Sequence, residues 1–385
     1  MLPLLAIHAL AMMAAAAGLL LYTDSPPQAL AHIAFALGIL PLILAAMAYF
    51  IPVLTRSGSD APRKLQLIPL AAWLGGLILV TSLLDITPSL SLSAASHAAA
   101  LLGLLATLSL LSWCLHRRRR TVGKPHPGLN WYLAALACLI LALCAVPLMD
   151  LWPEQRAALR LLHLHLNLLG FVGLTAIGTL QVLLPTAAGR PDPQAAARLA
   201  GDLKYAFSGV LLLAAGAAWL PVLALPGGVL TLIAPVRMLH QWRNQLGPIL
   251  LQRHGAPSAL SALALASLGF IGMQLLGLGH GSGLLPGRPA IIGYIVAFLL
   301  PLVSGAATQL LPTWLRPGPQ GAWHTQLRAQ LGWQAGLRSA LLVVGGLLPA
   351  CGLAAGLWLA LAGLTLLILA FLRAGWRMRP LSSAA

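Results

Sequence analysis

Two histidines, His163 and His165, stand inside an apolar stretch, residues 161–171, that reads Leu-Leu-His-Leu-His-Leu-Asn-Leu-Leu-Gly-Phe. Imidazole is costly in hydrocarbon, so a histidine at membrane depth faces a bundle interior, pairs with another group or binds a cofactor. The neutral ring is also the commonest metal ligand and an axial ligand of haem. Two positions along a helix subtend about 200°, from 3.6 residues per turn. The rings of His163 and His165 therefore point to opposite sides of one helix. Such a pair serves two neighbouring sites, or two walls of one cavity, more readily than a single ion.

The composition says what kind of chain must position them. Of 385 residues, 59% are hydrophobic and only 8% charged, and the mean hydropathy is +0.89. That excludes an ordinary soluble domain and indicates an all-α polytopic membrane protein embedded in a lipid bilayer. The net charge of +16 sits in short basic clusters between apolar runs, with no nucleic-acid motif beside them. Topology accounts for these clusters, because Lys and Arg accumulate in cytoplasmic loops. Cys114, Cys138, Cys144 and Cys351 are scattered, with no C-x-x-C pair, so a disulfide framework, a zinc site and covalent haem are not expected. The N-terminal apolar run lacks a basic leader segment and a small-residue cleavage site, and is read as a first retained span.

Runs long enough to cross about 30 Å of hydrocarbon fall at 2–22, 29–54, 65–86, 92–116, 129–150, 158–185, 203–222, 225–243, 257–277, 289–314, 335–354 and 356–375. This predicts twelve spans in a single membrane domain covering 1–385. The basic segments Arg56 to Lys64, His116 to Lys124, Arg190 to Lys204, Arg237 to Arg253, Arg316 to Arg338 and Arg373 to Arg379 alternate with loops poor in Lys and Arg. Both termini are then expected in the cytoplasm, with Asp24, Asp85, Asp150 and Glu154 on the opposite side.

Spans four apart share features. Span 6 ends Leu183-Leu-Pro-Thr186, span 10 ends Leu310-Leu-Pro-Thr313, and span 2 ends Phe50-Ile-Pro-Val53. Twenty residues before these prolines stand His32, His165 and Ile292. Spans 4, 8 and 12 finish in aromatic-basic clusters around Trp113, Trp242 and Trp376. Three quasi-repeats of four helices, about 1–122, 123–253 and 254–385, are the economical reading.

Under this topology His32, His97, His163 and His165 lie near the outer ends of their spans, and His280 lies in the outer loop before span 10. These five are the candidate metal ligands, with His163, His165 and His32 the candidate haem ligands. Asn167 is placed to orient a ring by hydrogen bonding. A lone interfacial histidine such as His97 or His280 is otherwise solvated or hydrogen-bonded, and helix-to-helix hydrogen bonding competes with ligation at His163 and His165. His8 reads as structural, and His116, His126, His240, His254 and His324 as surface residues. Gly170, Gly173 and Gly178 allow close approach of another helix or of a flat ring.

The run His163-Leu-His165-Leu-Asn-Leu-Leu-Gly170-Phe171, followed by Gly178 and Pro185, resembles the His-x-His signature of the NnrS family. Those are twelve-span bacterial membrane proteins associated with haem, copper and nitric oxide stress. The family's motif carries Glu after the second His and lies in an early span, whereas here Leu166 takes that place and the motif is in span 6. The wider architecture is similar to haem–copper oxidase subunit I, with twelve spans, three quasi-repeats and histidines at the outer ends of spans 2 and 6. In that fold a His-x-His helix holds haems on its two faces. The resemblance implies haem of the b type, with copper as a second metal, in a bacterial inner membrane. It also implies a redox partner, or nitric oxide or oxygen, as what the site meets. Span 7, around Lys204-Tyr-Ala-Phe207, has no His-His pair, and span 10 has no histidine. A complete oxygen-reducing centre is therefore not expected, and an enzyme here would be an oxidoreductase of another kind.

Two other function classes compete. A copper carrier or oxidase-assembly factor without haem would use soft Met and Cys ligands, and the eight methionines form no Met-x-x-x-Met array along a span. A small-solute transporter would bury carboxylates, and all seven acidic residues are read as falling in or near loops.

Overall fold

In the computed structural model the chain is 85% helical, with no strand among the described residues. The structure describes residues 1–22, 25–57, 63–250, 258–285 and 290–378. Asp24, Arg253, His254 and Arg379 lie outside the described residues.

Among the described residues, twelve helices are long and apolar enough to cross a membrane: α1 (Leu2–Leu20), α2 (Pro27–Leu54), α3 (Lys64–Leu83), α4 (Leu92–Arg119), α5 (Gly128–Leu151), α6 (Pro153–Ala187), α7 (Ala195–Ala218), α8 (Pro221–Gln245), α9 (Ala259–Gly281), α10 (Ile291–Leu315), α11 (Ala322–Ala350) and α12 (Gly356–Arg377). Each expected span has its helix. The helices run further into the basic segments than hydropathy indicates. Arg117 to Arg119 belong to α4, Arg198, Asp202 and Lys204 to α7, and Arg237 and Arg243 to α8. Charges are tolerated where water and headgroups replace hydrocarbon, so hydropathy falls before the backbone hydrogen bonding does. Residues Ala322–Leu331, read as loop, are also helical. Leu327 and Leu331 are buried one turn apart on that piece, a short amphipathic stripe that a span-length window averages away.

On α12, Trp358 and Trp376 are 75% and 73% exposed. Eighteen residues separate them, which is five turns and about 27 Å. Both indoles therefore leave one face of the helix at a spacing close to the hydrocarbon thickness, with exposed Leu369 and Leu372 between them. Indoles favour the two membrane interfaces, so this face suits a bilayer-facing position.

Two compact units divide the chain. One comprises Met1–Leu183, Asp192–Met238 and Gly281–Leu284, and the other Leu184–Pro191, Leu239–His280 and Leu285–Ala385.

Among the described residues three helices leave the α form part-way along. π-helical turns occupy Ile33–Ile39 in α2, Leu166–Gly173 in α6 and Ile295–Leu299 in α10. Proline explains two of them. Pro41 and Pro301 each stand eleven residues before the later prolines Pro52 and Pro312. Lacking N–H groups, they cannot serve Leu37 O and Ala297 O in the ordinary i→i−4 ladder, and the wider π turn follows. The corresponding position of α6 is Leu174, so no proline acts there. Its π turns instead coincide with close packing on α5. A Cβ on Gly170 would lie 2.6 Å from the Cys138 Cβ, and one on Gly178 would lie 2.7 Å from the Trp131 Cβ.

Those contacts seat α6 on α5. Trp131 is fully buried and its indole N–H donates to Leu199 O of α7 at 2.8 Å. Tyr132 Oη and Thr179 Oγ1 lie 3.0 Å apart between α5 and α6. The Cβ added by Gly178→Ala meets the indole's rigid base, so α6 must shift. The expected loss is about 1–3 kcal/mol, the usual range for overpacking, read as a lower midpoint of thermal unfolding in detergent. An unchanged midpoint would mean that the helices separate freely.

Candidate functional site

All the groups of the candidate site in α2, α5 and α6 belong to the first unit. His32 is the last residue before the π turns of α2, and His165 holds the same place in α6. His163 lies one half-turn earlier. All three rings are half-buried.

Each ring uses the same nitrogen. His32 Nδ1 lies 2.7 Å from Gln28 O, His163 Nδ1 lies 2.8 Å from Ala142 O, and His165 Nδ1 lies 2.8 Å from Leu161 O. A carbonyl oxygen only accepts, so Nδ1 carries the proton and donates in each case. In a neutral imidazole that leaves the lone pair on Nε2, and no protein partner for Nε2 occurs among the described residues. A backbone carbonyl holding Nδ1–H is a common way to fix tautomer and ring orientation in a ligand histidine.

The partners differ in kind. Gln28 and Leu161 each stand four residues back on the ring's own helix, so His32 and His165 are oriented by the first turns of α2 and α6. Ala142 belongs to α5, so His163 is aimed across a helix interface. It lies in the stretch where Pro147 withdraws the N–H that would serve Leu143 O. The structure thus gives the two rings of the pair different anchors, His163 on α5 and His165 on α6 itself.

Asn167 takes a different part from the one expected. Its Nδ2 donates to His163 O at 2.8 Å, so it ties the backbone where the π turns begin instead of holding a ring. Gly170 and Gly178 are covered by Cys138 and Trp131 of α5. These glycines serve helix approach and not a flat ring.

His97 is exposed and stands in a polar cluster. Its Nε2 lies 3.3 Å from Asp150 Oδ2, the oxygen that also accepts from Ser93 Oγ at 2.5 Å. Arg156 Nη2 donates to Asp150 Oδ1 at 2.6 Å. This is a hydrogen-bonded surface histidine, the plainer of its two sequence readings. His280 belongs to the second unit, with its Nε2 3.2 Å from Ala350 O. His8 is structural: its Nε2 accepts from the Trp73 indole N–H at 3.1 Å and lies 3.2 Å from Leu37 O beside the π turns of α2. One nitrogen serves only one of those two partners at a time. Of the residues read as surface, His324 is buried, with its rings' two nitrogens at Gly321 N and Arg316 O.

Among the described residues no three His, Cys, Asp or Glu side chains converge to hold a metal ion. A haem asks less of the chain, since the porphyrin supplies four nitrogens and the protein one or two axial imidazoles. The donor set of half-buried rings with free Nε2 lone pairs fits that requirement.

One group was missed in the sequence. Asp202 lies well inside α7 and is 1% exposed, with Arg237 Nη1 of α8 donating to its Oδ1 at 2.6 Å. The placement of every carboxylate in or near loops is therefore corrected. The surrounding basic residues lowered local hydropathy and disguised the first turns of α7 as loop. The helical spacing of Leu199, Ala206 and Val210, all buried, was the available signal.

No protein-family model, curated protein or solved structure matches this chain.

Proposed function

We propose that this is a haem-binding membrane protein of redox or gas-related function, in which His32 and His163 line one axial site and His165 serves a separate one. The observation that carries this reading is the shared hydrogen-bond pattern: three imidazoles with Nδ1 held by main-chain carbonyls and Nε2 left as a lone pair. When bound, the haem would supply electron transfer or binding of nitric oxide or oxygen. The chain's part is to hold the rings, through Gln28 O, Ala142 O and Leu161 O, and to surround them with apolar helices that raise the cost of charge. The recurrence of π turns after His32, His165 and Tyr294 supports the three-fold repeat, and the basic helix ends support cytoplasmic termini. Copper as a further metal draws support from the imidazoles alone. The test is an absorption spectrum of the protein purified after haem-replete expression, oxidised and dithionite-reduced, with metal analysis of the same sample. A Soret band is expected, and its absence overturns the reading.

A second reading, a small-solute transporter, is favoured by Asp202. A buried carboxylate in a spanning helix is a recurrent element of ion-coupled carriers. In that case Asp202→Asn should abolish proton-linked solute uptake in proteoliposomes while leaving the amount of inserted protein unchanged. If the protein moves no proton in the wild-type form, the transporter reading fails.

A further inference from the structure

We infer that Arg156 is a positioning residue for His163, fixing the meeting of α5 and α6 that aims the His163 ring. Two side chains of α6 reach across to main-chain carbonyls of α5. Arg156 Nε donates to Met149 O at 3.3 Å, and His163 Nδ1 donates to Ala142 O at 2.8 Å. Seven residues separate Arg156 from His163 on α6, and seven separate Met149 from Ala142 on α5. Seven residues are about 700°, close to two full turns, with a rise of about 10.5 Å. The two hydrogen bonds are therefore rungs in one register between antiparallel neighbours. His165 takes no part in it, because its carbonyl, Leu161 O, is on α6.

The outer rung is anchored on several sides. Met149 O is among the last four carbonyls of α5, which lack intrahelical amide donors, and the cation meets the negative end of that helix. The same guanidinium donates through Nη2 to Asp150 Oδ1 at 2.6 Å, so Arg156 holds a carbonyl and a carboxylate of α5 at once. Asp150 is held in turn by Ser93 of α4, whose Oγ donates to Oδ2 at 2.5 Å. His97 Nε2 lies 3.3 Å from that oxygen. Gln155 Oε1 accepts from the indole N–H of Trp219, just past α7, at 3.0 Å. Such anchoring matters because Pro147 removes a ladder bond from α5 between the two rungs. Without the outer rung α5 is free to bend at that proline, and Ala142 O then shifts relative to His163. The Arg156–Asp150 pair is exposed, and exposed pairs contribute little to stability. Its effect is expected on the direction of the ring more than on folding.

The test reads the ring directly. The full chain, carrying isotope-labelled histidine, is reconstituted in lipid without haem, and nitrogen NMR reports which ring nitrogen bears the proton. His163→Gln and His165→Gln assign the two sets of signals. In the wild type both rings should show one tautomer, protonated at Nδ1. Arg156→Gln should turn the His163 signal into a mixture of tautomers and leave His165 alone. Asp150→Asn should act in the same direction but less, because Arg156 keeps Met149 O, and it carries the test if Arg156→Gln does not elute as one species. Arg160, exposed one turn further along α6, is the control: Arg160→Gln removes the same charge from the same helix and should change neither ring. An unaltered His163 signal in Arg156→Gln overturns the inference, as does an equal change at His165 or an equal change in Arg160→Gln. Haem content supplies a second arm, which rests on the reading of His163 as an axial ligand. In haem-replete protein Arg156→Gln should weaken the His163 site about tenfold, the low end of the loss when a ligand's orienting partner is removed, and spare the share tied to His165. Protein that binds no haem in any form defeats the haem reading and leaves the tautomer result to decide this one.

Discussion

His163→Ala is expected to weaken haem binding at the site it lines by at least tenfold, read as loss of that site's share of the Soret absorbance per protein while the share tied to His165 remains. Loss of an orienting hydrogen bond behind a ligand already costs 10–100-fold in affinity in typical metal sites, and loss of the ring itself should cost no less. His163 is singled out because its Nδ1 is fixed by Ala142 O of another helix. The ring cannot follow α6 without breaking that bond, so its direction is set by the packing of α5 on α6. With His32 proposed to line the same site, His32→Ala should act on the same band, and the double variant should lose little beyond either single one. Residues in one site are non-additive in this way. His165→Ala should change a different feature of the spectrum and add to His163→Ala, since its ring is anchored on its own helix at Leu161 O. If all three variants retain the wild-type spectrum and haem content, the imidazoles are structural. If His163→Ala and His165→Ala behave as one site, the division between the two faces of α6 fails.

How much of this was legible in the sequence depends on the range of the interaction. The twelve spans were readable because hydrocarbon thickness imposes a length and a polarity that local composition records. The 200° between His163 and His165 was readable because it follows from helix geometry alone. Ala142 O was not, since a backbone carbonyl has no sequence signature and its position depends on how α5 meets α6. The π turns were half legible. Pro41 and Pro301 announce them in α2 and α10, but in α6 they accompany Gly170 and Gly178 against side chains distant in the chain. Asp202 was hidden by its neighbours, because a window rich in Arg and Lys reads as loop even when the backbone is helical. The role of Arg338 was not legible either, because the carbonyls it meets have no sequence signature, and it is the more consequential case.

Arg338, the end of a basic segment and also within the expected span 335–354, is 0% exposed inside α11. That helix is interrupted. Ala322–Leu331 ends, residues 332–334 turn with Gln334 in the left-handed conformation at φ 53° and ψ 26°, and Ala335–Ala350 continues. The end of the first piece leaves carbonyls without intrahelical donors. Arg338 supplies them, with Nη1 donating to Trp333 O and Nη2 to Leu331 O, each at 2.8 Å. The cation also lies at the negative end of that helix's dipole. The Trp333 ring also meets Arg373, whose guanidinium lies 5.2 Å from the indole centroid. Arg338→Ala would orphan the buried Leu331 O, at about 1–3 kcal/mol, leave the half-buried Trp333 O without its donor, and empty the volume of a large side chain as well. It is expected to lower the thermal midpoint by more than any other single substitution in this helix, and to reduce the monodisperse yield. Arg338→Lys should recover only part of the loss, because one ammonium on a flexible stem does not match the fork that spans both oxygens. Comparison of the two variants separates charge from geometry: equal stability of Lys and wild type would show that the cation alone suffices, and a stable Ala variant would show that water or a neighbouring group already satisfies the break.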